Sequence, residues 1–218
     1  MPIRTGTRAR LQAYTALASP TPEQRRCRLN KAIQAITEDD VRTLVSCIPG
    51  HIEVKEVFDL LIGGCDGETG EGRYSDGGRR VRASLLHLAV HHKAPQCTKL
   101  LLHLGAPTEA NESLLGDCAI HSALRIGGGG GGGIYSLVTL LLEYGASPTS
   151  LNSAQDTPLH LAAERGLVHV VKLLLDAGAL TTARNRYEET PWDLATLSGS
   201  PSSQACADLI LTHHLQQQ

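Results

Sequence analysis

The chain has 218 residues, is 41% hydrophobic and carries a formal net charge of −2. It is long enough to bury a substantial core, lacks the basic stripe that nucleic acid requires, and at 3% aromatic residues offers few rings for stacking on bases. Its apolar runs stop well short of the roughly 18–20 residues of a membrane span, and its six cysteines show no C-x-x-C spacing, so they read as reduced thiols of an intracellular protein rather than disulfides or a zinc site.

In chain order, residues 1–22 carry Arg4, Arg8 and Arg10 and no acid. They read as a disordered basic arm, with a mitochondrial transit peptide as the alternative. Residues 23–62 are predicted to hold helices at 23–36, 39–48 and 52–62, with Pro49-Gly50 separating the last two. Val54 to Leu61 repeats the helical spacing of Val170 to Leu175, so this region is expected to be a cap or a degenerate repeat. Residues 63–82 are rich in glycine and charge and are read as a flexible loop.

Ser84 to Ala89 (SLLHLA) then opens a helical unit whose second helix is expected at 95–104, closed by Gly105. The next unit opens at Cys118 to Ala123, with its second helix at 134–144, and Gly127 to Gly133 lie between its two helices. Residues 157–179 (TPLHLAAERGLVHVVKLLLDAGA) form the clearest unit, which runs to 189, and another opens at Thr190-Pro191-Trp192-Asp193. A final helix at 204–213 has Gln and His where a terminal cap needs polar residues, and 213–218 are a tail. His87, His121, His160 and Asp193 are separated by 34, 39 and 33 residues, and removing six glycines of the run restores a period of 33. Trimming that run is expected to change stability little, because the cost of closing a loop grows slowly with its length.

TPLH-x-A followed by paired helices at this period resembles the ankyrin repeat. The likeness covers 84–212, with a weaker extension back to about 23. It implies an all-α solenoid of stacked antiparallel helix pairs with β-hairpin or loop connections, the repeats occupying 83–212. It also implies that Thr157 caps its helix, Pro158 occupies the first turn, and Leu159 enters the core. The motif histidines are then hydrogen-bonding residues that tie each unit to a neighbour's loop. Gln155 and Glu188 depart from the family pattern, which has glycine at the hairpin tip.

The motifs of catalysis are thin. G-x-S-x-G and H-E-x-x-H are absent, the glycine run is followed by Ile134-Tyr135 rather than the Lys-Ser/Thr of a phosphate loop, and Cys118 and His121 fall on framework positions. No catalytic, cofactor or metal residues are assigned. A metal ladder of the motif histidines is disfavoured because ligands lie about 2 Å from a zinc ion.

The resemblance therefore implies a non-catalytic module, monomeric by itself, that binds a partner protein or peptide along its concave groove. The alternatives are a ubiquitin-ligase adaptor, which the SLLHLAV unit and the loop before it resemble, and the regulatory ankyrin part of an enzyme. Cytoplasmic or nuclear residence is expected. Inner-helix groove positions are His91, His92, Arg125, Ile126, Glu164 and Arg165, followed by Leu197 and Ser198. Tip positions are Leu114, Leu115, Asp117, Ser153, Ala154, Asp156, Arg186, Tyr187 and Glu189. Leu114, Leu115, Ile126 and Tyr187 are expected to be apolar anchors facing water, and Arg125, Arg165 and Arg186 to fork onto carboxylates.

Overall fold

The computed structural model describes residues 22–48, 73–76, 79–82, 84–111, 115–126 and 132–216. Among them lie ten helices: α1 (Pro22–Thr37), α2 (Val41–Cys47), α3 (Leu85–His91), α4 (Pro95–His103), α5 (Ala119–Arg125), α6 (Gly132–Glu143), α7 (Pro158–Glu164), α8 (Val168–Asp176), α9 (Pro191–Ser198) and α10 (Pro201–Gln216). A two-stranded hairpin joins β1 (Arg73–Asp76) to β2 (Arg79–Arg82).

Each helix pairs with its successor, and the pairs stack. The odd-numbered helices pack on one another from α1 to α9, and the even-numbered ones from α2 to α10. This is the two-layered solenoid that the repeat pattern implies. Short connections enforce it: three residues join α7 to α8, too few to do anything but fold the second helix back on the first. Between the layers runs one apolar core, from Leu29 through Leu86, Ile120, Leu159 and Leu174 to Ile210. Glycines close three outer helices with φ of 83°, 85° and 91° at Gly105, Gly145 and Gly178, a region that Cβ sterics deny to most residues.

The amino-terminal unit is α1 with α2, which pack on α3 and α4 respectively. The helix expected at 52–62, with its outer-helix pattern at 54–61, lies outside the described residues. A side chain in the α1–α2 turn fastens this unit to the next. Asp39, at φ 51°, accepts backbone hydrogen bonds from Cys97 at 2.9 Å and Gln96 at 3.4 Å. These are first-turn amides of α4, whose own N-cap, Ala94, supplies no side-chain bond. Asp39→Ala is expected to lower stability by about 1–2 kcal/mol, the loss of a helix cap, as a drop in thermal midpoint that Asp39→Asn restores in part.

Three further expectations are revised. The segment 63–82 is not a loop throughout: strands Arg73–Asp76 and Arg79–Arg82 pair within it, with Arg73 opposite Arg82 and Asp76 opposite Arg79. Only Gly77 and Gly78 separate the strands, the two-residue glycine spacing that favours tight hairpins. Helix α6 starts at Gly132, inside the glycine run, rather than at 134. Helix α10 spans Pro201–Gln216, longer at both ends than the 204–213 expected. Its Gln204 and Asp208 are exposed and hydrogen-bonded to each other, whereas Val171 and Leu175, at the matching places in α8, are buried. That face of α10 is therefore polar over its first turns, and Leu211 and Leu215 continue it as exposed apolar residues.

Candidate functional site

The motif histidines decide what is left over for binding. Buried His87, His121 and His160 donate from Nε2 to the carbonyls of Asp117 at 3.0 Å, Asp156 at 3.0 Å and Glu189 at 3.1 Å, each in the following tip. With Nε2 donating, Nδ1 accepts: from Ser84 Oγ at 2.6 Å, Cys118 Sγ at 2.9 Å and Thr157 Oγ1 at 2.8 Å. Asp193 takes the histidine's local role in the last unit, its carboxylate accepting from the Thr190 amide at 2.8 Å. Burial pushes all three histidine pKa values down and that of the Cys118 thiol up. The thiol–imidazole pair is therefore a buried neutral contact, the opposite of what a nucleophilic thiolate needs.

Two asparagines that the sequence reading missed build the tips. Asn152 Oδ1 accepts from the amides of Ala154 and Asp156, both at 2.9 Å, and Asn185 Oδ1 from those of Tyr187 at 2.9 Å and Glu189 at 3.0 Å. Their common place, four residues before the acid that precedes each threonine, was the available signal. Successive tips also join through backbone, Ser153 donating to Leu115 and Arg186 to Ala154, each at 2.9 Å.

The same amides consume the acids read as groove residues. Asn152 Nδ2 donates to Asp117 Oδ1 at 3.1 Å, and Asn185 Nδ2 to Asp156 Oδ1 at 3.1 Å and Glu189 Oε2 at 3.2 Å. Asp117 is buried and also accepts from Arg125 Nε at 2.6 Å. Asp117 and Asp156 thus tie units together, because a carboxylate at a tip base lies within reach of the next tip's amide; the Glu189 carboxylate bonds within its own tip.

Two other expectations are corrected. Ile126 is buried, not a water-facing anchor, since it belongs to the apolar core. Arg165 forks onto main chain instead of a carboxylate: its guanidinium donates to the carbonyls of Leu124 and, at 3.0 Å, Ile126, at the end of α5. There a helix terminus leaves acceptors unpaired just before the glycine run. Leu114 lies outside the described residues.

What faces solvent is a smaller set. Leu115 is 40% and Tyr187 72% exposed; with half-buried Ala154 they stand two residues before Asp117, Glu189 and Asp156 respectively, forming one row along the tips. Ser153 and Arg186 are exposed beside that row, and Glu164 ends α7 in solvent. His91 and His92 are exposed at the end of α3, their rings edge-on with centroids 5.7 Å apart. Leu197 and Ser198 are exposed at the end of α9.

Tip geometry survives the missing glycines. Gln155 and Glu188 have φ of 61° and 63°, matching 65° at Gly116. Left-handed backbone costs L-residues about 1–2 kcal/mol, partly offset by the lower chain entropy of a non-glycine residue when unfolded. Gln155→Gly and Glu188→Gly are each expected to stabilise the stack by up to about 1 kcal/mol, read as a higher urea midpoint.

A family model described as ankyrin repeats in three copies matches residues 131–218, and one described as ankyrin repeat matches residues 83–112. Ankyrin repeat and SOCS box protein 11 of Danio rerio is 37% identical over 84 residues, 38% of this chain and 26% of that protein. Glycerophosphocholine phosphodiesterase gde1 of Schizosaccharomyces pombe is 32% identical over 84 residues, 38% of this chain and 7% of that protein. The chain therefore spans about a quarter or less of each of these relatives' length.

Proposed function

Since this chain belongs to the ankyrin-repeat family, whose repeats are protein-interaction modules, we propose that it acts without catalysis by docking a partner protein along the groove between its tips and inner helices. The observation that carries this reading is the contrast within the groove. Framework acids and histidines are satisfied internally, while Leu115, Arg186 and Tyr187 are exposed in one strip. A few aromatic, arginine and apolar anchors ringed by polar residues are how protein interfaces concentrate their energy.

The test is affinity capture with the wild-type chain and with Leu115→Ser, Arg186→Ala and Tyr187→Ala combined. None of the three side chains supports the core, so the variant should melt near the wild-type temperature yet lose the partner. Undiminished recovery by the folded variant would refute groove binding.

A second reading, a ubiquitin-ligase adaptor, draws on the SOCS box in the name of the Danio rerio relative. Copurification of ubiquitin-ligase scaffold subunits supports it, and their absence from a functional complex argues against it. An enzymatic role would resemble the fission-yeast phosphodiesterase, of which the chain covers 7%; turnover of glycerophosphocholine by the pure chain would favour it. The module is proposed to be monomeric, to bind no nucleic acid, and to reside in cytoplasm or nucleus, which imaging of a fluorescent fusion tests. Among the described residues no helix is long and apolar enough to cross a membrane.

A further inference from the structure

Among the described residues, Arg125 is a groove cation held in a fixed pose by a carboxylate and with donors to spare. It ends α5, yet its Nε donates to Asp117, eight residues earlier. The side chain must therefore lie back along the helix toward its amino terminus, the direction in which helical side chains lean. Asp117 is itself fixed, buried and held by Asn152. Among the described residues the bond to Asp117 is the only one the guanidinium makes, which leaves its two Nη groups available for a ligand in a side chain that is 39% exposed. A guanidinium edge matches a carboxylate in plane and spacing, and one already immobilised loses little entropy on binding.

Of the nearby acids, Asp117 is compensated by Arg125 itself, while Asp156 and Glu189 keep their charge and each turns one carboxylate oxygen onto the Asn185 side-chain amide, at 3.1 and 3.2 Å. Arg186, whose backbone amide is tied to Ala154, offers a second exposed guanidinium beside Tyr187.

Resting on the groove reading above, we propose that the occupant is an extended acidic segment of the partner protein. One of its carboxylates is received by the Nη edge of Arg125, and its apolar side chains lie on Leu115 and Tyr187. Helices in contact lie about 8–10 Å apart, so the tips carrying Leu115 and Tyr187, two units apart, are separated by about 20 Å. An extended chain rises about 3.3 Å per residue, which places the two apolar residues about six apart, with the acid close to the one that meets Leu115.

The experiment selects binders to the full chain from a displayed library of random 12-residue peptides. The best is then synthesised with a fluorophore and compared with its Glu/Asp→Gln/Asn form. The expected result is enrichment of acid-containing peptides, about tenfold or greater weakening on removal of the acid, and loss of that discrimination in Arg125→Gln. If Arg125→Gln proves unstable because Asp117 is left unpaired, Arg125→Lys serves, since it keeps the charge and loses the fork. The acid-to-amide comparison on wild-type protein needs no variant at all. Failure to enrich any peptide, or equal affinity for acid and amide forms, overturns the proposal. Peptides that ignore the acid but weaken with Tyr187→Ala leave groove docking standing and reject the acidic partner alone; peptides indifferent to Tyr187, Leu115 and Arg125 together reject both.

Discussion

Leu159→Ala is expected to lower the free energy of unfolding by about 2–5 kcal/mol, the largest single-site loss predicted for this chain. Leu159 has no solvent exposure and belongs to α7, which packs on α5, α8 and α9. Truncation removes apolar contact with several helices at once and leaves a cavity that flanking helices cannot close without breaking their own registers. Trp192 supplies the internal control: it holds the same motif position in the last unit and is 41% exposed. Trp192→Ala should cost less than Leu159→Ala, although tryptophan is the larger residue. Urea unfolding followed by circular dichroism checks both. Because stacked units couple mainly to their neighbours, the slope of the Leu159→Ala transition should also fall as the stack begins to melt in parts. A loss under about 1 kcal/mol would mean that the side chain is not wedged between units.

The second large effect is acid lability. His87, His121 and His160 are buried as neutral rings, and desolvation holds each below the ordinary value of 6.5. Geometry agrees with the direction: in the fourth unit the Thr157 amide donates to His160 Nδ1 at 3.1 Å, and protonating that nitrogen abolishes the bond. Asp117, Asp156 and Glu189 nearby favour the charged form, and Arg125 beside His121 opposes it, but burial dominates. Unfolded histidines take up protons that the folded rings refuse, so the stabilisation is present above pH 6.5 and is lost as pH falls below it toward the lowered folded values.

With three such rings, unfolding should take up as many as about three protons at mildly acidic pH, each worth about 1.4 kcal/mol per pH unit. Urea midpoints between pH 7.5 and 5 check this, and His160→Gln should remove about one proton from the slope. Asp193 acts in a separate window: hydrogen bonds from Thr190 hold its carboxyl below 3.8, so its contribution is lost only under stronger acid. Stability that stays flat from pH 7.5 to 5 would show that the rings are not buried neutral.

Much of the fold was legible because the forces that set it are local. Helical spacing placed α1, α2 and α4 within a residue or two, and Gly105, Gly145 and Gly178 marked helix ends because only glycine adopts those φ values freely. The histidine's bond to a neighbouring loop, inferred from the motif, occurs in three units. The groove was less legible. Asp117 and Arg125 were both placed on it, yet they bond to each other. Arg165, of the same residue type, turns away to the end of α5.

Periodicity of 33 residues and the order of apolar, capping and glycine positions determined by themselves that this chain stacks helix pairs, since a repeated amphipathic unit can bury its faces only against copies of itself. Tertiary structure alone decided which polar side chains remain for a partner. The destination of a long arginine or a tip carboxylate depends on acceptors and amides 29–41 residues away, brought close by stacking, and no spacing rule along the sequence encodes that proximity.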